Sequence, residues 1–508
     1  MRKDARIALG VILALTALVV VIWVRSRGPR PQKPAETAQA EEASPVEALL
    51  RKSIGQRSWY GMYMMKEKVG YALTEVVATK VGDRDAVSFS LKAKLQITAL
   101  GQKQDMRLTE TRVFFRTGEF HSVSNQVKTS ASDVTITGVV QGDKLLVTSQ
   151  MGDQRTTKEF PAPKEGLKDA LAAELLVQPD AKIGDHVTFT QFEPTMLKDL
   201  EVVLTLKERK TLMFNGVPTQ VCVLSSRMPA LGFDSEMCVD ERGDVMEMTV
   251  GQLFVLRLEP EQQAKDIRYS SDLMRTGCVR LDPAPKQVAQ TPKFRFQIWG
   301  VEDEALILND RRQTWTAAAD GSRVVECRAA GIDARKAVKL PVDRERFAKD
   351  LEPTLFAQSD DARVKKLAAD IVGDERDALA ATRKINTWVF KNIRKVGTAA
   401  LSNAIETLAS REGDCTEHTV LFVALARAAG IPAREIAGVT AVEGGEGLYY
   451  HAWPEVWVGE WVAVDPTLGQ ELADATHIKF AQGGTENLFR VASIFGKLKA
   501  KILDLPGK

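Results

Sequence analysis

From Trp59 to about residue 260, apolar and polar positions alternate with a period of two. The stretch VSFSLKAKLQITA (87–99) puts Val87, Phe89, Leu91, Ala93, Leu95, Ile97 and Ala99 on one face, with polar residues between them. Similar runs are punctuated by QGDK (141–144), FNGVP (214–218) and DERGD (240–244), which have the composition of hairpin turns. One helical pattern, LKDALAAELLVQ (167–178), interrupts them. The pattern predicts a large antiparallel β-rich domain over 51–265 that carries one short helix.

A polar stretch, LDPAPKQVAQTPK, lies in a second linker placed at 266–292. Short strands return over 293–350, and from about 359 the period becomes helical, in SDDARVKKLAADIVG and ERDALAATRKINTWVFKNIRK. Both segments open on acidic residues and the second closes on a basic turn, as helix ends prefer. The C-terminal domain is placed at 351–508, and the expected class is α+β.

The N-terminus breaks both patterns. IALGVILALTALVVVIWV (7–24) is a run of uncharged, mostly apolar residues after the basic start MRKDAR. As a helix it spans about 27 Å, close to the hydrocarbon thickness of a bilayer. Trp23 falls at the expected interface, and RSRGPRPQK follows where a cleaved signal would need small residues. Residues 1–27 are therefore expected to be a cytoplasmic start and an uncleaved transmembrane anchor, with 28–50 as a Pro/Ala/Glu linker. That makes the chain a single-pass protein of a bacterial-type inner membrane, with everything after 27 in the periplasm or otherwise outside the cytoplasm. The 69 basic and 67 acidic residues leave a net charge of +2, and no basic stripe interleaved with aromatics argues for nucleic acid.

The five cysteines are few enough to take one by one. Cys222 and Cys238 flank MPALGF almost symmetrically about Ala230, so a hairpin there would bring them within disulfide reach in an oxidising compartment. Two buried apolar thiols are the alternative. Cys278 and Cys327 have no spacing that argues for pairing.

Cys415 differs. SNAIETLASREGDCTEHTVLFVALARAAGIPAR (402–434) reads as helix, turn, helix and stop, with Gly430 and Pro432 ending the second helix. Asp414 is the candidate N-cap, which sets Cys415 in the first turn, where the dipole and unpaired N–H groups favour a thiolate. A base is available in YYHAWPEVWVGEWVAVDPTLGQ (449–470), two strands around Gly459-Glu460 that bring His451 and Asp465 to one edge. A two-residue turn there would put Asp465 opposite Pro454, facing away from His451, so the pair needs an odd loop, such as 459–461, or a bulge. Two other assignments remain: a buried thiol at a helix start, or zinc ligation by Cys415 and His418 at C-x-x-H spacing. His418 is expected to be a packed histidine and Glu417 a helix-surface residue.

Gly-Asp-Cys at 413–415, ALARAAGIPAR, HAWPEVWV and WVAVDPT occur in that order, followed by DATHIKF (474–480). Together they closely resemble the transglutaminase-like superfamily of papain-type cysteine enzymes. The resemblance covers roughly 350–505 well and 290–350 loosely. It implies Cys415 as nucleophile, His451 as base and Asp465 as orienting group, on a papain-like core of helices against an antiparallel sheet. It implies no metal and no cofactor. Trp453, Trp457 and Trp461 are candidates to wall an acyl-binding cleft, and His477 is a candidate neighbour of the triad. The usual side-chain oxyanion donor is absent, since Ala409 stands six residues before Cys415; Trp388 is one substitute. The implied chemistry is hydrolysis at amide bonds of a protein or peptide substrate, with cross-linking transamidation as the alternative. A non-catalytic binding module with a blocked triad is a further one. So is a ligand carrier built on the β-rich domain, whose opening WYGMYMMKEKVGYALTEV is similar to curved-sheet envelope domains such as periplasmic lipoprotein carriers.

Overall fold

In the computed structural model, residues 45–504 are described apart from 65, 100–101, 130–132, 152–153, 195–197, 215, 231–232, 241–242, 251–253, 268–277, 286–287, 330, 333–337, 355, 397–401, 484–489 and 492. The apolar stretch 7–24 lies outside them, and among the described residues no helix is long and apolar enough to cross a membrane. These residues divide into two compact units, one holding 45–97 and 105–270 and the other 271–504.

The first unit is a 14-stranded antiparallel sheet. Neighbours in space are neighbours in sequence, except that the first strand, Arg57–Met64, lies between the second, Glu67–Val81, and the last, Phe254–Leu258. The period-two pattern explains the layering: Val87, Phe89, Leu91, Ala93 and Leu95 are all buried, whereas Lys92 between them is exposed. Register shifts after Met62, Val113, Leu206 and Cys238 mark bulges, which bend and twist a sheet this wide. The helical pattern at 167–178 becomes a 3₁₀ turn, Asp169–Leu171, and a short helix, Ala172–Leu176.

The possible bridge between Cys222 and Cys238 is not formed; all five cysteines are free. The register pairs Cys222 with Val239 and Val223 with Cys238. Residues directly opposite share a face, so the two thiols point to opposite sides of the sheet and cannot bond.

In the second unit, helices Ala362–Val372, Ala378–Asn392, Ala404–Ser410 and Cys415–Ala428 gather beside a sheet. That sheet comprises Ala433–Ala441, Gly447–Trp457, Trp461–Ala463 and Ile478–Gly483, joined at its edge by Val279–Arg280. Val279 pairs with Leu448, so the stretch expected as a linker at 266–292 contributes a strand. Helix Cys415–Ala428 is the hub, with every residue from Cys415 to Arg427 buried. Other elements surround it, so its polar residues Glu417, His418 and Arg427 are buried along with its apolar ones. A separate four-stranded sheet holds Lys293–Trp299, Gln313–Ala317, Arg323–Arg328 and Lys499–Ile502.

Candidate active site

Asp414 caps helix Cys415–Ala428 as the sequence predicts. Its Oδ1 accepts from Thr416 N at 2.7 Å, and Glu417 Oε2 accepts in return from Asp414 N at 2.8 Å. Glu417 is not the surface residue expected. It is fully buried, and its other oxygen accepts from Ser402 N at 3.1 Å. A Cβ at position 413 would lie 2.3 Å from Glu417 Cβ, so glycine before Asp414 is the condition for this closed cap. Burial, with the Glu417 carboxylate beside it, pushes the Asp414 carboxyl well above the usual range.

The helix packs directly on strand Gly447–Trp457, which carries His451. Trp457 pairs with Trp461, leaving a three-residue loop at 458–460 closed by Val458 N donating to Glu460 O at 3.0 Å. Gly459 takes φ +102° at its centre. The odd loop sets the parity: Val464 N donates to Pro454 O, and Asp465 emerges on the face of His451. His451 Nε2 lies 2.8 Å from Asp465 Oδ2. Across the sheet Gly438 pairs with His451, and a Cβ there would lie 1.9 Å from Ile478 O and 2.8 Å from the Trp453 ring. Glycine at 438 therefore lets the neighbouring strand and Trp453 close in behind the histidine.

Asp465 is fully buried, and its Oδ1 accepts from Thr467 N and Leu468 N at 2.8 Å each. Burial alone would raise its pKa. Attraction to His451 and hydrogen bonds from both His451 and His477 instead hold it well below the usual carboxylate range. His477 Nε2 lies 3.1 Å from the same Asp465 Oδ2, and His477 Nδ1 lies 3.1 Å from Asp474 Oδ1. His451, Asp465 and His477 offer atoms within 4.8 Å of one another, a spacing that suits a metal ion as well as a proton-linked cluster. Both Nε2 atoms sit at hydrogen-bond distance from one carboxylate oxygen.

His418 packs as expected, its Nδ1 2.6 Å from the Asp414 carbonyl oxygen; burial pushes its pKa down to about 4, so it is neutral. The tryptophans do not wall a cleft together. Trp453 is fully buried in a cluster with Ile436, Ala463 and Ala473, its ring stacked 5.9 Å from His451 and edge-on 5.0 Å from His477. Trp457 stands at the hairpin tip, roughly 20 Å along the strand from His451, packed on Phe347 and Trp461. Trp388 sets its ring 4.8 Å from the Arg411 guanidinium.

Several contributors were missed in the sequence. Asp474 binds His477, and its backbone carbonyl accepts from Arg312 Nη2 at 2.7 Å. Gln313 brackets Lys479, accepting from its N at 2.8 Å and donating to its O at 2.7 Å. DATHIKF carried a signal in its paired Asp and His; nothing local marked Arg312 or Gln313.

Residues 365–466 match the transglutaminase-like superfamily. This part of the chain is a transglutaminase-like domain. An uncharacterised protein of Haemophilus influenzae is 38% identical over 84 residues, which is 16% of this chain and 23% of that protein's length. The crystal structure of a candidate cysteine protease from Cytophaga hutchinsonii aligns at 20% identity over 42% of this chain and 90% of its own, with a TM-score of 0.32. A β-barrel-like protein from Brucella abortus, of a domain of unknown function, aligns at 11% identity over 40% of this chain and 94% of its own, with a TM-score of 0.30.

Proposed function

We propose that the transglutaminase-like domain is a thiol-dependent hydrolase of amide bonds, with Cys415 as nucleophile, His451 as base and Asp465 as orienting group. The observation that carries this is the 2.8 Å contact between His451 and Asp465 on the strand against which the Cys415 helix packs. Asp465 occupies Nε2, which directs Nδ1 toward the thiol chemistry.

His451 takes the Cys415 proton, and the thiolate, favoured by the helix N-terminus, adds to the carbonyl carbon of a protein or peptide amide. The backbone N–H of Cys415 is one donor for the oxyanion. The imidazolium returns its proton to the departing amine, leaving a thioester. His451 then deprotonates water, which attacks the thioester and frees the acid and the thiol. A lysine amine in place of water gives cross-linking instead.

Alkylation of Cys415 across pH, with His451→Ala beside the parent, tests the pair. An ordinary thiol titrates near 8.5, and activated ones at roughly 3.5–7.5. A low apparent value that rises in the variant supports the proposal; an ordinary value unchanged by the substitution overturns a pre-formed ion pair. One observation favours a second reading: Cys415 is 2% exposed and His451 3%. A triad so closed fits a domain that acts only once opened, or that binds without turnover. Slow alkylation that speeds up in mild denaturant would favour it. We further propose that residues 7–24 anchor the chain in the membrane and leave this domain in the periplasm; release by alkaline carbonate would count against the anchor.

A further inference from the structure

Asp465 serves two histidines, and the second meets a further carboxylate as well. His477 has a carboxylate on each ring nitrogen, Asp465 at 3.1 Å from Nε2 and Asp474 at 3.1 Å from Nδ1. A neutral imidazole carries one N–H and would turn a bare lone pair toward the other carboxylate; only the imidazolium donates to both. The surroundings keep those carboxylates ionised and fixed. Asp465 accepts two backbone N–H bonds. Asp474 accepts from Thr476 N at 2.9 Å, Thr476 Oγ1 at 2.6 Å and Gln470 Nε2 at 2.7 Å, and its pKa is held to about 2 despite burial. Burial works against charge on His477, yet Asp474 and Asp465 outweigh it and raise its pKa.

The charged and titratable groups around His477 come from several elements. The hairpin supplies His451, its ring centroid 5.8 Å away, and Asp465. The 473–479 segment supplies Asp474, with Arg312 bound to its backbone. Strand Ala433–Ala441 offers the Thr440 hydroxyl at 3.2 Å. The Cys415 helix adds neutral His418, which feels the Asp465 charge.

The geometry points to His477 as a positioning residue, a double-donor imidazolium that shares Asp465 with the base and offsets part of its charge. This rests on the triad proposed above. An aspartate facing one histidine draws that histidine strongly toward its protonated form. An aspartate clamped between two, one already charged, draws the other less. His451 is thereby kept a weaker base than an unshared Asp–His pair would make it. The clamp also fixes the carboxylate's orientation, so His451 keeps Nε2 for Asp465.

The test is the pH profile of Cys415 alkylation in the full-length chain in detergent, for the parent, His477→Gln and Asp474→Asn. The parent profile has a thiol inflection and, above it, an inflection from loss of the His451 proton. Glutamine can still donate to Asp465 but brings no charge. The expected result in His477→Gln is an upward shift of the upper inflection by about one unit, tenfold in proton affinity, with a smaller shift in Asp474→Asn. A merely structural residue would lower stability and leave both inflections in place; that result overturns the proposal. A parent profile without a low thiol inflection removes the triad and this inference with it, so the two failures are distinct. Nitrogen-15 labelling of the five histidines gives a readout independent of variant folding. Two N–H signals from His477 at neutral pH are expected, and a single one overturns the double-donor assignment.

Discussion

Arg312, just before strand Gln313–Ala317, donates through Nη2 to the backbone carbonyl of Asp474 at 2.7 Å, and Gln313 beside it holds both backbone groups of Lys479. Two adjacent residues of the smaller sheet thus hold the segment that carries His477. Replacing Arg312, 8% exposed, by Met keeps the bulk and removes the donor. Losing this charged donor leaves the carbonyl only its 3.3 Å bond from His477 N and should cost about 1–3 kcal/mol. Thermal unfolding checks this, and an unchanged midpoint would mean that the segment holds itself.

His418 gives a pH signature of its own. Its pKa is pushed from 6.5 to about 4 by burial, so the folded state resists a proton that the unfolded chain accepts. Above 6.5 both states are neutral and nothing is lost. As pH falls from 6.5 toward 4 the unfolded state binds more protons, and stability should drop by up to about 3 kcal/mol. His418→Gln should flatten that slope. Denaturant melts at several pH values measure it, and equal slopes in both proteins would refute the assignment.

The cap makes a steric prediction. A methyl group at 413 meets Glu417 Cβ at 2.3 Å, and Glu417 is walled in by its bonds to Asp414 N and Ser402 N. Gly413→Ala should therefore cost about 1–3 kcal/mol, as overpacking does, and open the capping box. With the cap open, the Cys415 thiol should become less acidic, read by the same alkylation profile.

The hairpin loop sets parity, so its length should matter more than its composition. Removing Gly459 leaves a two-residue turn and moves every later side chain to the other face of the strand. Asp465 would then turn away from His451. Activated-ester turnover should fall by about 10²–10⁴-fold, the usual share of general acid–base catalysis. Gly459→Asn strains the +102° φ but keeps the count, so it should cost stability and retain activity in the folded protein; equal loss of activity in both folded variants would count against parity as the cause.

Parity also separates what the sequence made legible from what it did not. Bringing His451 beside Asp465 requires a bulge or an odd loop, such as 459–461, and an odd loop is present one residue earlier, at 458–460. At Cys222 and Cys238 symmetry about Ala230 was the guide, but Met228 pairs with Phe233, which places the centre half a residue later. That half residue separates a possible bridge from opposite faces. Glu417 was misread because an acidic residue in a first turn is usually solvated; here neighbouring elements bury it and its partners satisfy it. Arg312 and Gln313 were illegible for another reason. Their partners lie about 160 residues away, and no periodicity encodes such a contact.

The wide sheet of the first unit has one seam, where Tyr60–Met64 pairs with Phe254–Leu258 across roughly 190 residues of chain. Its other neighbouring strands are consecutive, so both arms can zip up by local hairpins. Joining them is the slow event, because loop-closure entropy is lost before any seam contact is gained. Leu256, buried at the seam, should slow refolding when cut to alanine, whereas a similar cut at Leu145 in the outer arm should mainly speed unfolding. A chain emerging from synthesis would hold its first strand half-paired until its last strand arrived. For most of that time the open edge of Arg57–Met64 would be a place where a second chain could pair instead.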